Sequence, residues 1–466
     1  MFICRIDGIS QYLEGKIVMR NRLYFTIKRV RIVREKPAED SESGIRFCIL
    51  VIVSILIASF GQLAIMTETS LAQENSVSDT IGQSMQGDWG KIMFNLRYRY
   101  EYVDQADLKT ANGDPVRLRL GYQTPELAGF QAYAEFLGNT PIFLDDYNDT
   151  SNGKTEYAVI GDPNEAALNQ AWLSYGSIPD TVLKAGRQKM AWDNERFICP
   201  ASWRQMEQTF DTISLLNTSL GGLTFKAAYI WNVLLTSNEE SAISSPLLNL
   251  KYTFPDIGSL IGYGYWLDYN DPDGSGPFAY AYSSQTLGLR FHGSASVSET
   301  LNLLYTAEYG AQSDYGDNPK DFNASYYHVN GAFLAPAKDS LLKNISGKVG
   351  YEVFGSDNGV SVQTPLGANH KYNGWADIFG KTKPADGLRD LYGSLSSSVA
   401  GVKVELIYHD FQADAGGSDY GTEFDVKLTK KLGKNYTVLA SWSTYNADEY
   451  KTDTDKFWLQ LAVTFP

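Results

Sequence analysis

Cysteine is scarce in this chain: three among 466 residues, at Cys4, Cys48 and Cys199. Two of them precede residue 72, so a processed, exported chain keeps Cys199 alone and cannot rest on internal disulfides. Cys48 opens an apolar run instead of following one, which excludes a lipoprotein anchor cysteine. Long hydrophobic runs are missing as well. Only residues 47–66 approach the length of a membrane helix, and the mean hydropathy is −0.26, which excludes a helical membrane bundle. Basic residues are outnumbered 40 to 54, for a net charge of −14, which argues against a nucleic-acid partner. The ten basic and seven acidic side chains of residues 1–72 leave 30 and 47 in the remainder. That acidity does not by itself specify a cation channel, because charge on outer loops enters the same sum.

What the chain has in quantity is tyrosine and glycine, 30 and 41 residues, suited to strands, interfacial girdles and turns. Residues 1–72 read as an extended leader. Arg29, Arg31, Arg34, Lys36 and Arg46 precede the apolar run 47–66, and Ser70-Leu71-Ala72 supplies a small-x-small cleavage site. Met19 is an alternative start. Residues 73–87 read as a loose periplasmic segment, and residues 88–466 as one domain.

That domain repeats one arrangement. The closing stretch shows it: Phe457, Leu459, Leu461, Val463 and Phe465 share one face of an extended strand, Trp458, Gln460, Ala462 and Thr464 the other. At the start, Phe94, Leu96, Tyr98 and Tyr100 stand opposite Asn95, Arg97, Arg99 and Glu101. Next, Val116, Leu118, Leu120 and Tyr122 stand opposite Arg117 and Arg119. Four arginines on one side of two adjacent strands need water or partners, and a wide barrel has water inside. Strands are expected near 91–103, 116–122, 129–138, 166–175, 182–189, 210–218, 222–234, 246–254 and 258–269. Nine more are expected near 283–292, 299–311, 324–334, 344–353, 387–397, 401–411, 420–430, 434–446 and 455–465. Short turns alternate with longer polar links, notably 139–165, 190–209, 268–283 and 355–387. The pattern predicts an all-β, antiparallel transmembrane barrel of about 18 strands, with 16 as the alternative, and with both termini periplasmic.

The same alternation predicts a mixed lumen. Its basic members are Arg97, Arg99, Arg117, Arg119, Lys226, Lys251, Arg290, Lys348, Lys403 and Lys427. Its acids are Glu101, Glu135, Glu308, Glu352, Glu405, Glu423 and Asp425. One reading is an anion-preferring path where the first four arginines cluster; the other is cross-strand ion pairing that stiffens the wall. No nucleophilic triad is evident, and His409 reads as a lumen histidine. Asp268, Asn270, Asp271 and Asp273 gather oxygen ligands. They miss the EF-hand spacing and its distal glutamate, so they read as an acidic turn. Asp145, Asp146 and Asp149 are candidates for a divalent bridge to anionic headgroups. No metal or other cofactor is expected.

Two loop stretches resemble those of the alginate-export porin family, Gram-negative outer-membrane barrels. The first is Gly186-Arg187-Gln188, then Glu195-Arg196-Phe197-Ile198 and Trp203-Arg204-Gln205-Met206-Glu207-Gln208-Thr209-Phe210-Asp211. The second is His370-Lys371-Tyr372-Asn373-Gly374-Trp375-Ala376-Asp377, leading to Pro384-Ala385-Asp386-Gly387-Leu388-Arg389-Asp390. The resemblance implies an 18-stranded barrel whose polar pore is narrowed by inward-folded outer loops. It would place Arg187, Glu195, Arg196, Trp203, Arg204, Asp211, His370, Lys371, Asn373, Trp375 and Asp377 at that constriction. Arginine forks and aromatic faces there suit a uronic-acid chain; the same residues also suit pinning the loop through Glu195, Glu207 and Asp211. The implied protein is no enzyme. It is an outer-membrane channel passing polar or anionic solutes, or oligo- and polysaccharide, by diffusion or export. The barrel-assembly machinery would insert it among lipid and lipopolysaccharide. A general nutrient-uptake porin is the transport alternative, and an adhesin or lipid-modifying barrel the alternative of another class.

Overall fold

The computed structural model describes residues 5–6, 9–10, 78–270, 280–337 and 342–466. Residues 1–66 form a unit of their own, in which Arg5–Ile6 pairs antiparallel with Ile9–Ser10. The apolar run 47–66 and the cleavage site after Ala72 lie outside the described residues.

Eighteen long strands follow among the described residues. They are β1 (Gly90–Gln105), β2 (Ala111–Gln123), β3 (Phe130–Asp146), β4 (Glu165–Tyr175), β5 (Thr181–Gln188) and β6 (Thr209–Asn217). Then come β7 (Leu223–Leu234), β8 (Glu240–Phe254), β9 (Gly258–Leu267), β10 (Ser284–Ser298), β11 (Leu301–Asp314) and β12 (Asn323–Ala335). The last six are β13 (Leu342–Phe354), β14 (Leu388–Val399), β15 (Val402–Gln412), β16 (Asp419–Leu432), β17 (Tyr436–Ala447) and β18 (Thr454–Phe465). Each pairs antiparallel with its neighbours in sequence, and β18 closes on β1 from Thr454↔Gln105 to Phe465↔Phe94. Closure leaves no edge strand with unpaired backbone groups, the condition for crossing hydrocarbon with strands. The alternation expected from the sequence is the alternation found: Leu96, Leu118, Leu120, Leu459 and Leu461 are exposed on the outer face, while Asn95, Arg97, Arg99 and Glu101 are buried within.

The two ends of the barrel differ. At one, connections such as 255–257, 299–300 and 433–435 are turns; at the other, loops 147–164, 189–208 and 355–387 are long. The segment 78–87, expected to be loose, is tied to the turn end. Residues 78–84 are helical, Asp79 pairs with Lys434 at 3.1 Å, and Gln86–Gly87 adds to β1. The packed interior is not a two-layer core. It is the inside of the barrel, where loop residues Phe197, Phe322 and Phe379 join wall residues Tyr263, Tyr326 and Phe411 in one buried cluster.

Candidate functional site

Two loops turn into the barrel and meet there. The first, residues 189–208, docks on the inward polar face of β1 to β4. Arg97 donates from Nε to Gln205 Oε1 at 2.6 Å, from Nη1 to the Ser202 carbonyl at 3.1 Å, and from Nη2 to the Arg204 carbonyl. Arg99 lies over the Trp203 ring and donates to its carbonyl at 2.7 Å. Arg119 Nη1 donates to both Glu207 oxygens at 2.8 and 2.9 Å, and Lys189 and Asn169 reach the same carboxylate. Burial would raise the Glu207 carboxyl, but Arg119 and Lys189 outweigh it and hold the group well below the usual range.

The second loop, residues 355–387, docks on the opposite wall through the stretch His370–Asp377. The Ala376 N–H donates to Glu423 Oε1 at 2.7 Å, and the Trp375 N–H to Asp425 Oδ2 at 3.3 Å. Asn373 bridges Glu352 and Asp390 at 2.9 and 3.0 Å. Gly374 is required at this contact: its φ is +82°, and a Cβ there would lie 2.3 Å from Glu423 Oε2. The loops also hold each other. The Cys199 N–H donates to the Leu366 carbonyl at 2.9 Å, Arg204 bonds Asp377 at 2.8 Å, and Trp203 stacks on His370 with centroids 4.0 Å apart. Arg196 of the first loop forks onto Glu352 of β13, Nε to Oε1 at 2.8 Å. Burial pushes the Cys199 thiol up to about 11, so it stays protonated and inert at neutral pH. The two loops make one composite plug.

The space left beside this plug is a cavity of about 1360 Å³ along the inner faces of β10 to β16. Of the lumen residues expected from sequence, Arg290, Lys348, Lys403, Glu405 and Lys427 line it. Of the loop residues, Glu195, Trp203, Arg204, His370, Lys371, Trp375 and Asp377 do. Arg196 and Asn373 are buried inside the plug. The arginines expected to form the path are taken up instead, Arg97 and Arg99 by the first loop and Arg117 by Asn95, and they are 6%, 0% and 3% exposed. Glu135 is likewise occupied, bonded by Asn169 and Tyr133 at 2.7 and 2.8 Å. Lys226 faces Asp193 at 3.8 Å, Glu308 accepts the Tyr263 hydroxyl at 2.9 Å, and Lys251 shares the inward face of β8 with Asn249.

Arg187 and Asp211 are misplaced by the sequence reading. Their register partners put them on the outer face, in line with the exposed Leu173 and Ile213. There Arg187 donates to Asp211 at 2.7 Å and to Glu240 at 2.6 Å, away from any constriction. Asp268 and Asn270 bond Ser245 and Ser244, while Asp271 and Asp273 lie outside the described residues. Asp149 receives the Ser151 and Asn152 amides in a local turn, and Asp145 pairs with Lys154 at 2.9 Å. Among the described residues no group of histidine, cysteine and carboxylate side chains is arranged to hold a metal. Lys456, which lines the cavity, was missed although strand parity sets it on the face of Trp458. Lys381, in mid-loop, carries no periodic signal at all.

Residues 88–332, just over half of the chain, match the alginate export family model. The chain belongs to the alginate export family. It is a channel-forming barrel of the bacterial outer membrane. No curated protein sequence matches it. Solved structures similar to this alginate export family barrel include OpdL of Pseudomonas aeruginosa, at 17% identity and a TM-score of 0.60, covering 80% of this chain and 98% of that one. P. aeruginosa OpdK crystallised with vanillate has 15% identity and a TM-score of 0.57, covering 80% and 98%. Acinetobacter baumannii OccAB3 has 14% identity and a TM-score of 0.59, covering 80% and 99%. At these identities the likeness is one of fold.

Proposed function

We propose that the protein is a passive channel preferring anions that carry carboxylates, from small organic acids to acidic oligosaccharide. One observation carries this reading: nine lysines and arginines line the open cavity against four acids, in a chain whose net charge is −14. The surplus is concentrated on one wall. Lys403 and Lys427 reach the two oxygens of Glu405 at 2.9 and 3.3 Å, so two ammonium groups share one carboxylate. Lys348 joins them on the same wall, with no carboxylate of the described residues in ion-pair contact. A low-dielectric wall focuses that field into the water path, which raises the local concentration of anions. Tyr392, half-buried in the same lining, offers an aromatic face to a sugar or aromatic ring. The vanillate held by OpdK is a ligand of this kind, an aromatic carboxylate.

No moving part or energy source is needed: solute follows its gradient, and the plug sets the size limit. The test is reversal potential across a planar bilayer under a salt gradient. Replacing Lys348, Lys403 and Lys427 together by alanine is expected to move it toward cation preference. Block by uronic-acid oligomers should weaken more than block by neutral ones. An unchanged reversal potential in the folded triple variant would overturn the proposal.

A further inference from the structure

We propose that Arg97 and Arg117 hold a resident inorganic anion, a halide such as chloride, in the wall behind the plug. The two arginines are direct cross-strand partners on β1 and β2, both facing inward. Like charges directly opposite repel, and ordinary strand pairs place an acid at one of the two positions. Here neither has one. The acceptors of Arg97 are all neutral: Gln205 Oε1 at 2.6 Å and the carbonyls of Ser202 and Arg204. Arg117 has a single acceptor, Asn95 Oδ1 at 2.7 Å. Its Nε and Nη1 are buried without a partner among the described residues.

The neighbouring acids, Glu207 and Asp162, make no ion pair with either arginine, although Asp162 Oδ2 is itself buried without a hydrogen-bond partner. Glu207 accepts from Arg119 Nη1 through both oxygens and is shared with Lys189 and Asn169. Asp162 accepts the Gln205 N–H at 2.7 Å and lies 3.8 Å from Arg99 Nη1. Two guanidinium groups, 6% and 3% exposed, therefore stand side by side with no counter-charge in contact, and the orphaned donors are those of Arg117. A buried arginine in that condition needs an anion or loses its place. Neither residue lines the open cavity, so the site is closed off from the solute path. A single-atom halide is the anion that so closed a site suits. Because Arg97 also carries three contacts of the first loop, the anion doubles as a fastener for the plug.

The experiment uses the full barrel, purified and folded. Crystals grown in sodium bromide should show an anomalous peak within hydrogen-bonding distance of Arg117 Nε and Nη1. In parallel, unfolding temperature is followed as chloride or bromide replaces methanesulfonate at constant ionic strength. A saturating rise is expected, following the usual linkage between ligand and native state. Arg117→Met, which keeps the stem and drops the charge, should abolish both the rise and the peak. A water-sized peak without anomalous signal, together with equal stability in the two anions, would overturn the proposal. Should the variant fail to fold, the bromide crystal of the unaltered protein decides alone.

Discussion

Gly374 and His370 show how single side chains govern the open area. At Gly374 the left-handed backbone and the Glu423 carboxylate leave no space for a Cβ. Gly374→Val is expected to undock the His370–Asp377 stretch at a cost of roughly 1–3 kcal/mol. Single-channel recordings should show larger conductance, with a barrel that still migrates as heat-modifiable. His370 acts through pH. Burial pushes its pKa down to about 4, so the ring stacked on Trp203 is neutral at pH 7. For Asp377, burial would raise the carboxyl, but His370, Lys456 and Arg204 prevail and hold it well below its usual range. Both groups are depressed, so an undocked loop binds more protons than a docked one as the pH falls. Docking is then strongest above the ordinary histidine value of 6.5 and weakens toward pH 4 and below. The loss at pH 4 is on the order of 1–3 kcal/mol. Rising current noise on acidification is the expected record, and His370→Phe, which keeps the stack, should flatten its upper part.

Strands were legible because one physical demand repeats along them. Every second residue meets hydrocarbon, and the opposite residues meet water or a polar plug, so period two survives from β1 to β18. Ends were less legible. β3 continues past residue 138 to Asp146, and β8 begins at Glu240 and not 246. Beyond the apolar band the demand lapses: Ile142, Phe143 and Leu144 are exposed in succession, and periodicity no longer marks the ladder. Seam strands carry a sharper prediction. Phe465 sits opposite Phe94 where β18 meets β1, rings 6.3 Å apart, and is 8% exposed. Phe465→Asp places a charge at that closure. On a lipid-facing site a basic residue costs about 2–4 kcal/mol at mid-membrane, and an acid less. Slower insertion and a lower yield of heat-modifiable barrel are expected; normal yield would count against the role of this seam.

On the scale of the molecule, parity told which side chains face inward but not which part of the lumen stays open. Arg97 and Arg99 look like a pore lining because nothing local reveals that residues 202–205, a hundred positions away, lie on top of them. Lys403 and Lys427, equally plain in the strand pattern, remain beside the water, although the Trp375 ring of the second loop reaches to 4.1 Å beneath the Lys427 ammonium. The composite plug has a consequence for biogenesis. Its moorings lie on the first and last strands alike: Arg204 bonds Glu101 of β1, and Trp203 meets Trp458 of β18 edge to face. Those two surfaces come together only once β18 has closed on β1, so the plug completes its moorings after closure. Final seating of the plug is then expected to be the last step of insertion, and a barrel whose seam closes slowly is expected to leak until that step is done.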